Sequence, residues 1–270
     1  MKSCQKTNAP GCTGHSKIYP AFSRIIDIIY PPRCPICRKF LWKEGSEKEG
    51  VPVYFCRTCL ADFQEITPPF CPICGSPFVL GIAENHLCED CLRSLPLYEA
   101  AAAPFLYKGS LMKAIHQFKY GARSYMADFL GPLLAQFAES WVSENFGGEL
   151  DDLLVIPVPL HAKKLRERGF NQSLLLAKHV ARQLYTGLDF LSLRRIKYTL
   201  PQTGLGRKER RKNVSGAFQL KNFDTVKGKR VLLVDDVSTT GNTLNECAGV
   251  LKKSGCKKVI CLVIARTSSP

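Results

Sequence analysis

Apolar residues recur along this chain at two spacings. Val231–Val234 is an unbroken run that meets Asp235 and Asp236, and Lys258–Ala265 (KVICLVIA) and Leu153–Val158 are runs of the same kind. Short apolar runs bounded by turn residues predict strands buried on both faces of a parallel sheet. Pro157 and Pro159 withhold ladder donors, so the strand from Leu153 is expected to stop there or to lie at an edge. Other stretches repeat at helical spacing. Asn242–Lys253 follows the acidic turn. Ser110–Tyr120 puts Leu111, Ile115 and Phe118 on one face, with Gly121 as a stop. Tyr125–Val142 carries Met126, Phe129, Leu130, Leu133, Leu134, Phe137 and Trp141 in one stripe. Asn171–Tyr185 turns Leu174, Ala177, Ala181 and Leu184 inward. Residues 1–17 read as a polar arm, Ile18–Tyr30 as a short amphipathic helix, and Ser94–Ala103 as a linker with a lead-in strand.

Composition sets limits on this picture. The 270 residues are 45% hydrophobic, enough for a packed core in one or two domains. No apolar run reaches the roughly 18 residues of a membrane helix. Lys2 is followed by Cys4, Gln5, Lys6 and Asn8 with no apolar segment, unlike a secretory signal.

The thirteen cysteines are not spaced as a disulfide scaffold. Cys34-Pro-Ile-Cys37 and Cys56-Arg-Thr-Cys59 form one pair of CxxC knuckles, and Cys71-Pro-Ile-Cys74 and Cys88-Glu-Asp-Cys91 another. A two-residue spacer lets both thiolates face one tetrahedral ion, and the intervening lengths suit two Cys₄ zinc ribbons paired in sequence order. A segment this poor in core residues needs the metal, since each bound ion contributes on the order of 10 kcal/mol to folding. Four thiolates per ion leave no open position, so both zincs are expected to be structural. His86 reads as a surface histidine, and Cys247, Cys256 and Cys261 as small buried apolar residues.

Chemistry concentrates at Val231–Thr243, VLLVDDVSTTGNT. Ligands of parallel sheets bind beyond the carboxyl ends of the strands. There, backbone N–H groups of Thr239–Thr243 open onto a helix N-terminus and suit a phosphate dianion, with Gly241 allowing close approach. Asp235 and Asp236 repel phosphate but accept hydrogen bonds from hydroxyls. Phosphate on the loop and a diol on the acids describe a ribose 5-phosphate. The segment resembles the 5-phosphoribosyl 1-pyrophosphate (PRPP) motif of type I phosphoribosyltransferases, although Ser238 stands where many members carry an apolar residue. The resemblance implies that Asp235 and Asp236 hold the ribose hydroxyls. It also implies that Ser238, Thr239, Thr240, Gly241, Asn242 and Thr243 wrap the 5′-phosphate, and that Mg²⁺ accompanies PRPP.

His161–Gly169 reads as a strongly basic loop, with Lys163, Lys164, Arg166 and Arg168. In a PRPP-type fold such a loop binds the pyrophosphate, and Lys164 and Arg168 are its candidate contacts. VPLHAKKLRERGFNQS is similar to the PVPL…RGFNQ signature of the ComF/GntX competence-associated family. Gln202–Phe218, with Arg207, Lys208 and Arg210, resembles the loop that closes over the active site of the transferases and excludes water. Residues 161–230 hold eighteen Lys and Arg against four Asp and Glu, nearly all of the chain's excess charge of +15. That surplus suits a nucleic-acid backbone as well as a polyphosphate.

The resemblance covers nearly the whole chain. It implies a cytoplasmic α/β protein with an N-terminal arm and helix over 1–30, a double zinc ribbon over 31–95 and a Rossmann-like type I phosphoribosyltransferase domain over 96–270. Its implied partners are PRPP, single-stranded DNA and a competence helicase. Two readings stay open: a phosphoribosyltransferase whose acceptor and catalytic base the sequence does not identify, and a PRPP-sensing or DNA-binding module without turnover.

Overall fold

In a computed structural model, residues 31–41, 55–78, 84–121, 123–146, 150–199 and 213–268 are described. The expected helix at 18–30 and the segment 202–212, with Arg207, Lys208 and Arg210, lie outside them. The chain divides into two compact units, 1–56 and 57–270.

The first unit contains the knuckle at Cys34–Cys37. Arg38 N–H donates to Cys34 O and Cys34 N–H to Lys39 O, both at 2.8 Å. Arg38 adopts φ 63° to close this turn. The second unit begins with helix α1 (Arg57–Ala61) and repeats the device at Cys71–Cys74, where Gly75 takes φ 69° and its N–H donates to Cys71 O. Helix α2 (Glu89–Arg93) carries the last cysteine knuckle.

Strand β1 (Ala100–Ala102), strand β2 (Phe105–Leu106), helix α3 (Gly109–Tyr120) and helix α4 (Ala127–Phe146) precede β3 (Leu153–Pro157). Helices α5 (Ala162–Arg168) and α6 (Gln172–Gln183) follow, then β4 (Gly187–Leu188), β5 (Leu193–Arg195), β6 (Phe218–Leu220), β7 (Arg230–Ser238), α7 (Asn242–Lys253) and β8 (Lys258–Arg266). The main sheet has the order β1-β8-β7-β3-β4, with β2 also on β8, and every pairing in it is parallel. β5 and β6 form a separate antiparallel pair.

The long apolar runs become the centre of the sheet. Val231 pairs with Val259 on one side and with Leu154 on the other. Val231–Val234 and Val259–Ala265 are buried almost completely, each Val or Leu contributing roughly 1.5–3 kcal/mol. Strand alternation sends Val231, Leu233, Val259 and Cys261 to one face, where Leu244, Cys247 and Leu251 of α7 and Phe218 of β6 cover them. Cys247, Cys256 and Cys261 are buried, as expected. Pro157 ends β3 but does not mark an edge, because β3 lies between β7 and β4.

Three expectations need correction. His161–Gly169 is a helix: His161 Nδ1 accepts from Lys163 N–H at the start, and Gly169 closes it at φ 82°. In α4 the buried face is Ala127, Leu130, Leu134, Ala135, Ala138 and Val142, with Met126 buried in the 3-10 turn Ser124–Met126 just before it, so Phe129, Leu133, Phe137 and Trp141 are only half-buried at its flank. Small residues face inward because α6 packs close; a Cβ on Gly131 would lie 2.3 Å from the His179 ring. In α6, Leu174 is half-buried, and Leu176 and Val180 are the core residues beside Ala177 and Ala181.

Candidate functional site

The cysteines form two sets able to hold one ion each, Cys34, Cys37, Cys56 and Cys59, then Cys71, Cys74, Cys88 and Cys91, so the pairing is sequential. In the first unit the Cys37 and Cys56 sulfurs are 3.5 Å apart. In the second set all four sulfurs lie within 4.8 Å of one another and Cys74 is 3.5 Å from Cys88. Zn–S bonds of about 2.3 Å in a tetrahedron put sulfurs roughly 3.8 Å apart, so the donors fit structural zinc. His86 stacks on Phe78, with ring centroids 3.8 Å apart, and belongs to neither set. The second set abuts the sheet. Ala101 N–H donates to Ile73 O at 2.7 Å, so the ribbon covers the edge strand β1.

At the carboxyl end of β7 a cleft of about 520 Å³ opens. Asp235, Asp236, Thr239 and Thr243 line one wall, and Lys164, Arg168 and Arg195 also line the cleft. The strand runs through both acids to Ser238, farther than the apolar run alone suggests. Asp235 Oδ1 accepts from Ser173 Oγ at 2.7 Å and from Asp236 N–H at 2.9 Å. Burial, and then the neighbouring Asp236 charge, raise the Asp235 carboxyl to about 7. Lys119 Nζ lies 2.9 Å from Asp236 Oδ1. Burial alone would lower Lys119, but the Asp236 carboxylate outweighs it and keeps the ammonium charged.

The RGFNQS segment positions this wall. Asn171 caps α6 by accepting from Ser173 N–H at 3.1 Å and donates Nδ2 to Val158 O at 3.0 Å. Gln172, buried, donates to Phe118 O and accepts from Arg168 Nη1 at 2.6 Å. Phe170 stacks on Phe118. Arg168 also lies over the Tyr120 ring, and Lys163 over Tyr198. Lys164 is lowered by burial first and then by Arg195 and Arg168. Like charges crowded in this way favour an anionic ligand.

The loop after β7 divides between two spaces. Thr239 and Thr243 face the cleft, while Thr240, Gly241 and Asn242 line an adjoining pocket. Ser238 is buried, and its Oγ accepts from Arg266 Nη1 at 3.0 Å. Gly241 takes φ 72° at the N-cap of α7, and a Cβ there would approach the Tyr98 hydroxyl to 3.0 Å.

Sequence reasoning missed Lys119, Ser173, Arg195 and Arg266. Lys119 is one of two lysines along α3, and only the fold brings it to Asp236. Ser173 was within reach, since it ends the RGFNQS signature. His116 and Glu167 also line the cleft and are titratable groups with no assigned role.

Residues 25–92 match the double zinc ribbon domain family and residues 171–270 the phosphoribosyl transferase domain family. The chain is 34% identical over 198 residues to the DNA utilization protein YhgH of Escherichia coli O157:H7, covering 73% of this chain and 84% of that protein. It is 33% identical over 235 residues to Competence protein F of Haemophilus influenzae, covering 87% and 96%. Competence protein ComFC of Bacillus subtilis is 26% identical over 207 residues, covering 74% and 78%.

Proposed function

We propose that this chain, which belongs to the ComF/GntX competence family of double zinc ribbon and type I phosphoribosyltransferase-like proteins, binds PRPP at the carboxyl end of β7. One observation carries the reading. Two carboxylates, two threonines of a helix-opening loop and a crowd of cations line the same cleft. Asp235 and Asp236 accept the ribose hydroxyls, and the loop amides from Thr239 to Thr243 take the 5′-phosphate. Lys164, Arg168 and Arg195 neutralise the pyrophosphate, and the sequence offers Arg207, Lys208 and Arg210 as further cations for it. Departure of pyrophosphate leaves positive charge on the ribose, which the carboxylates stabilise electrostatically without a protein nucleophile.

Mg²⁺ fits the carboxylate oxygens here, since it binds through one or two carboxylates and substrate phosphates while keeping several waters. When bound, it would neutralise the pyrophosphate. Asp236 is the carboxylate nearest to this role, and Lys119 already shares its charge. That ion pair favours a second reading, in which the cleft senses PRPP or a nucleotide without turnover.

In either case the family names point to DNA. Relatives called competence and DNA utilization proteins support a role in handling incoming single-stranded DNA in the cytoplasm, alongside a competence helicase. Exposed Tyr120 and Tyr198 with cations over their rings suit base stacking beside a phosphate backbone. Of the other aromatics between 161 and 230, Phe170 packs on Phe118 and Phe218 is buried, while Tyr185, Phe190 and Phe223 are exposed.

The test is a pyrophosphate-release assay on the zinc-loaded protein with PRPP, scanned over nucleobases and amine donors, together with melting curves. PRPP at about 100 times its Kd adds roughly 2.7 kcal/mol to stability. Turnover with any acceptor eliminates the sensor reading. A PRPP-induced melting shift without turnover supports it, and no shift at all contradicts both.

A further inference from the structure

The second cysteine set and the loop that follows β7 belong to the same compact unit, and one short segment joins them. Helix α2 carries Cys91, and Ser94–Glu99 leads from it into β1. On the way, Leu97 and Tyr98 cross the start of α7. Leu97 N–H donates to Asn245 Oδ1 at 2.6 Å, and Asn245 N–H donates to Gly241 O at 2.9 Å. One turn farther along α7, Gly249 leaves room for the Leu97 side chain; a Cβ there would come within 2.9 Å of Leu97 Cδ1. Tyr98 is buried, with its hydroxyl directly behind Gly241. Lys252, in the last turn of α7, pairs with Glu99, whose other carboxylate oxygen accepts from Val259 N–H at 2.8 Å. The ribbon also backs the loop. Thr240, Gly241 and Asn242 line a pocket of about 420 Å³ together with Cys74 and Cys91.

From this arrangement we infer that the second zinc ribbon positions the loop after β7, through Leu97 and Asn245, so that its zinc and the ligand of the cleft bind cooperatively. Backbone donors favour an anion most when they are already arranged for it, because binding then costs no ordering. The loop cannot arrange itself. Gly241 sits at φ 72° where glycine has little preference of its own, and it has no side chain with which to cap α7. The constraint comes from outside, from Leu97 and Tyr98. Those two residues are held at one end by β1 and at the other by the knuckle of Cys88 and Cys91. Metal binding supplies the free energy that folds a ribbon of this kind. Without metal, Leu97 loses one anchor and Asn245 loses a fixed partner. Leu97 and Asn245 are positioning residues; neither lines the cleft. The cooperativity rests on PRPP being the ligand of the cleft, whereas the mechanical link between ribbon and loop does not.

The test is a double-mutant cycle on the full chain, read by PRPP calorimetry, amide hydrogen exchange and zinc content. Cys91→Ser empties the second site, and Asn245→Ala cuts the link with both zincs in place. Each is expected to weaken PRPP at least about fivefold, and the two together little more than Cys91→Ser alone. Amides of Thr239–Gly249 are expected to exchange faster in both variants, while those of β3 and α4 keep their wild-type rates. Leu97→Ala, at an exposed position, is expected to act as a milder Asn245→Ala. Reciprocity gives a check on the wild-type chain: saturating PRPP is expected to tighten one of the two zincs by about the same factor in competition with a chelator. Wild-type loop exchange in Cys91→Ser and Asn245→Ala overturns the link. Losses of PRPP affinity that simply add overturn the route through Asn245, and zinc affinities unmoved by bound PRPP overturn the cooperativity. Exchange that rises equally in β3 and α4 means that zinc holds the whole unit, which overturns the specific role. Should PRPP bind nowhere, the PRPP reading falls with the cooperativity, and the exchange rates still decide the link.

Discussion

The ammonium of Lys119 lies 2.9 Å from Oδ1 of Asp236, and both side chains are largely out of solvent. A helix that precedes the nucleotide-type half of the sheet thus supplies the counter-charge for a carboxylate at the end of β7. Removing one partner of such a pair leaves the other uncompensated, whereas removing both need not. Lys119→Met is predicted to cost about 3 kcal/mol in chemical denaturation, and Lys119→Met with Asp236→Asn to cost less than the single change. A double variant less stable than Lys119→Met would show that the carboxylate is satisfied by other groups.

The Asp235 carboxyl titrates at about 7 because it is buried and sits beside another acid, while the unfolded chain titrates it near 3.8. The folded state therefore holds a proton that the unfolded state has released. The resulting stability is fully present below about pH 4 and is lost as pH rises through 7. Asp235→Asn removes this dependence and retains an oxygen for the Ser173 hydroxyl. The variant is predicted to melt higher than wild type at pH 8, by roughly 2–4 °C for each kcal/mol regained, with a smaller difference at pH 5. Melting curves at the two pH values check it, and a difference that is constant or larger at pH 5 would contradict it.

The Cys34–Cys37 and Cys71–Cys74 knuckles close with the same left-handed turn, but the first uses Arg38 and the second Gly75. A Cβ on Gly75 would lie 2.5 Å from Ala101 O, against backbone that cannot move aside. Gly75→Ala is predicted to cost about 2 kcal/mol and to speed zinc loss to a chelator from the second site. Arg38→Gly is predicted to leave zinc retention at the first site unchanged or slower, since glycine accepts φ 63° without strain. Chelator-driven release, followed with a zinc-sensitive dye, reads both. Equal rates for Gly75→Ala and wild type would mean that the ribbon does not need its contact with β1.

Much of this fold was legible because its signals are local. Val231–Val234 and Lys258–Ala265 are too apolar for any surface element, and CxxC spacing brings two thiolates together regardless of what surrounds them. The acidic pair and its hydroxyl loop also announced themselves, being consecutive in sequence. What could not be read was tertiary. Lys119 reaches Asp236 across more than a hundred residues, and Arg266 supports Ser238 only because β7 and β8 pair in register there. The basic stretch at Lys163–Arg168 looked like a loop because charge hides helical period, while the cap at His161 and the stop at Gly169 decide otherwise. In α4 the largest apolar residues drew attention to the wrong side, although Gly131 and the alanines mark the face that meets α6.

The central claim is that the end of β7 recognises a ribose carrying phosphate. Calorimetric titration of PRPP into the wild-type chain and into the Asp235→Asn, Asp236→Asn double variant tests it most directly, with zinc content measured on both. The prediction is a single saturable site in the wild type, at least about a hundredfold weaker in the variant, with two zincs per chain in each. An unchanged isotherm in the variant would mean that these carboxylates do not hold the sugar.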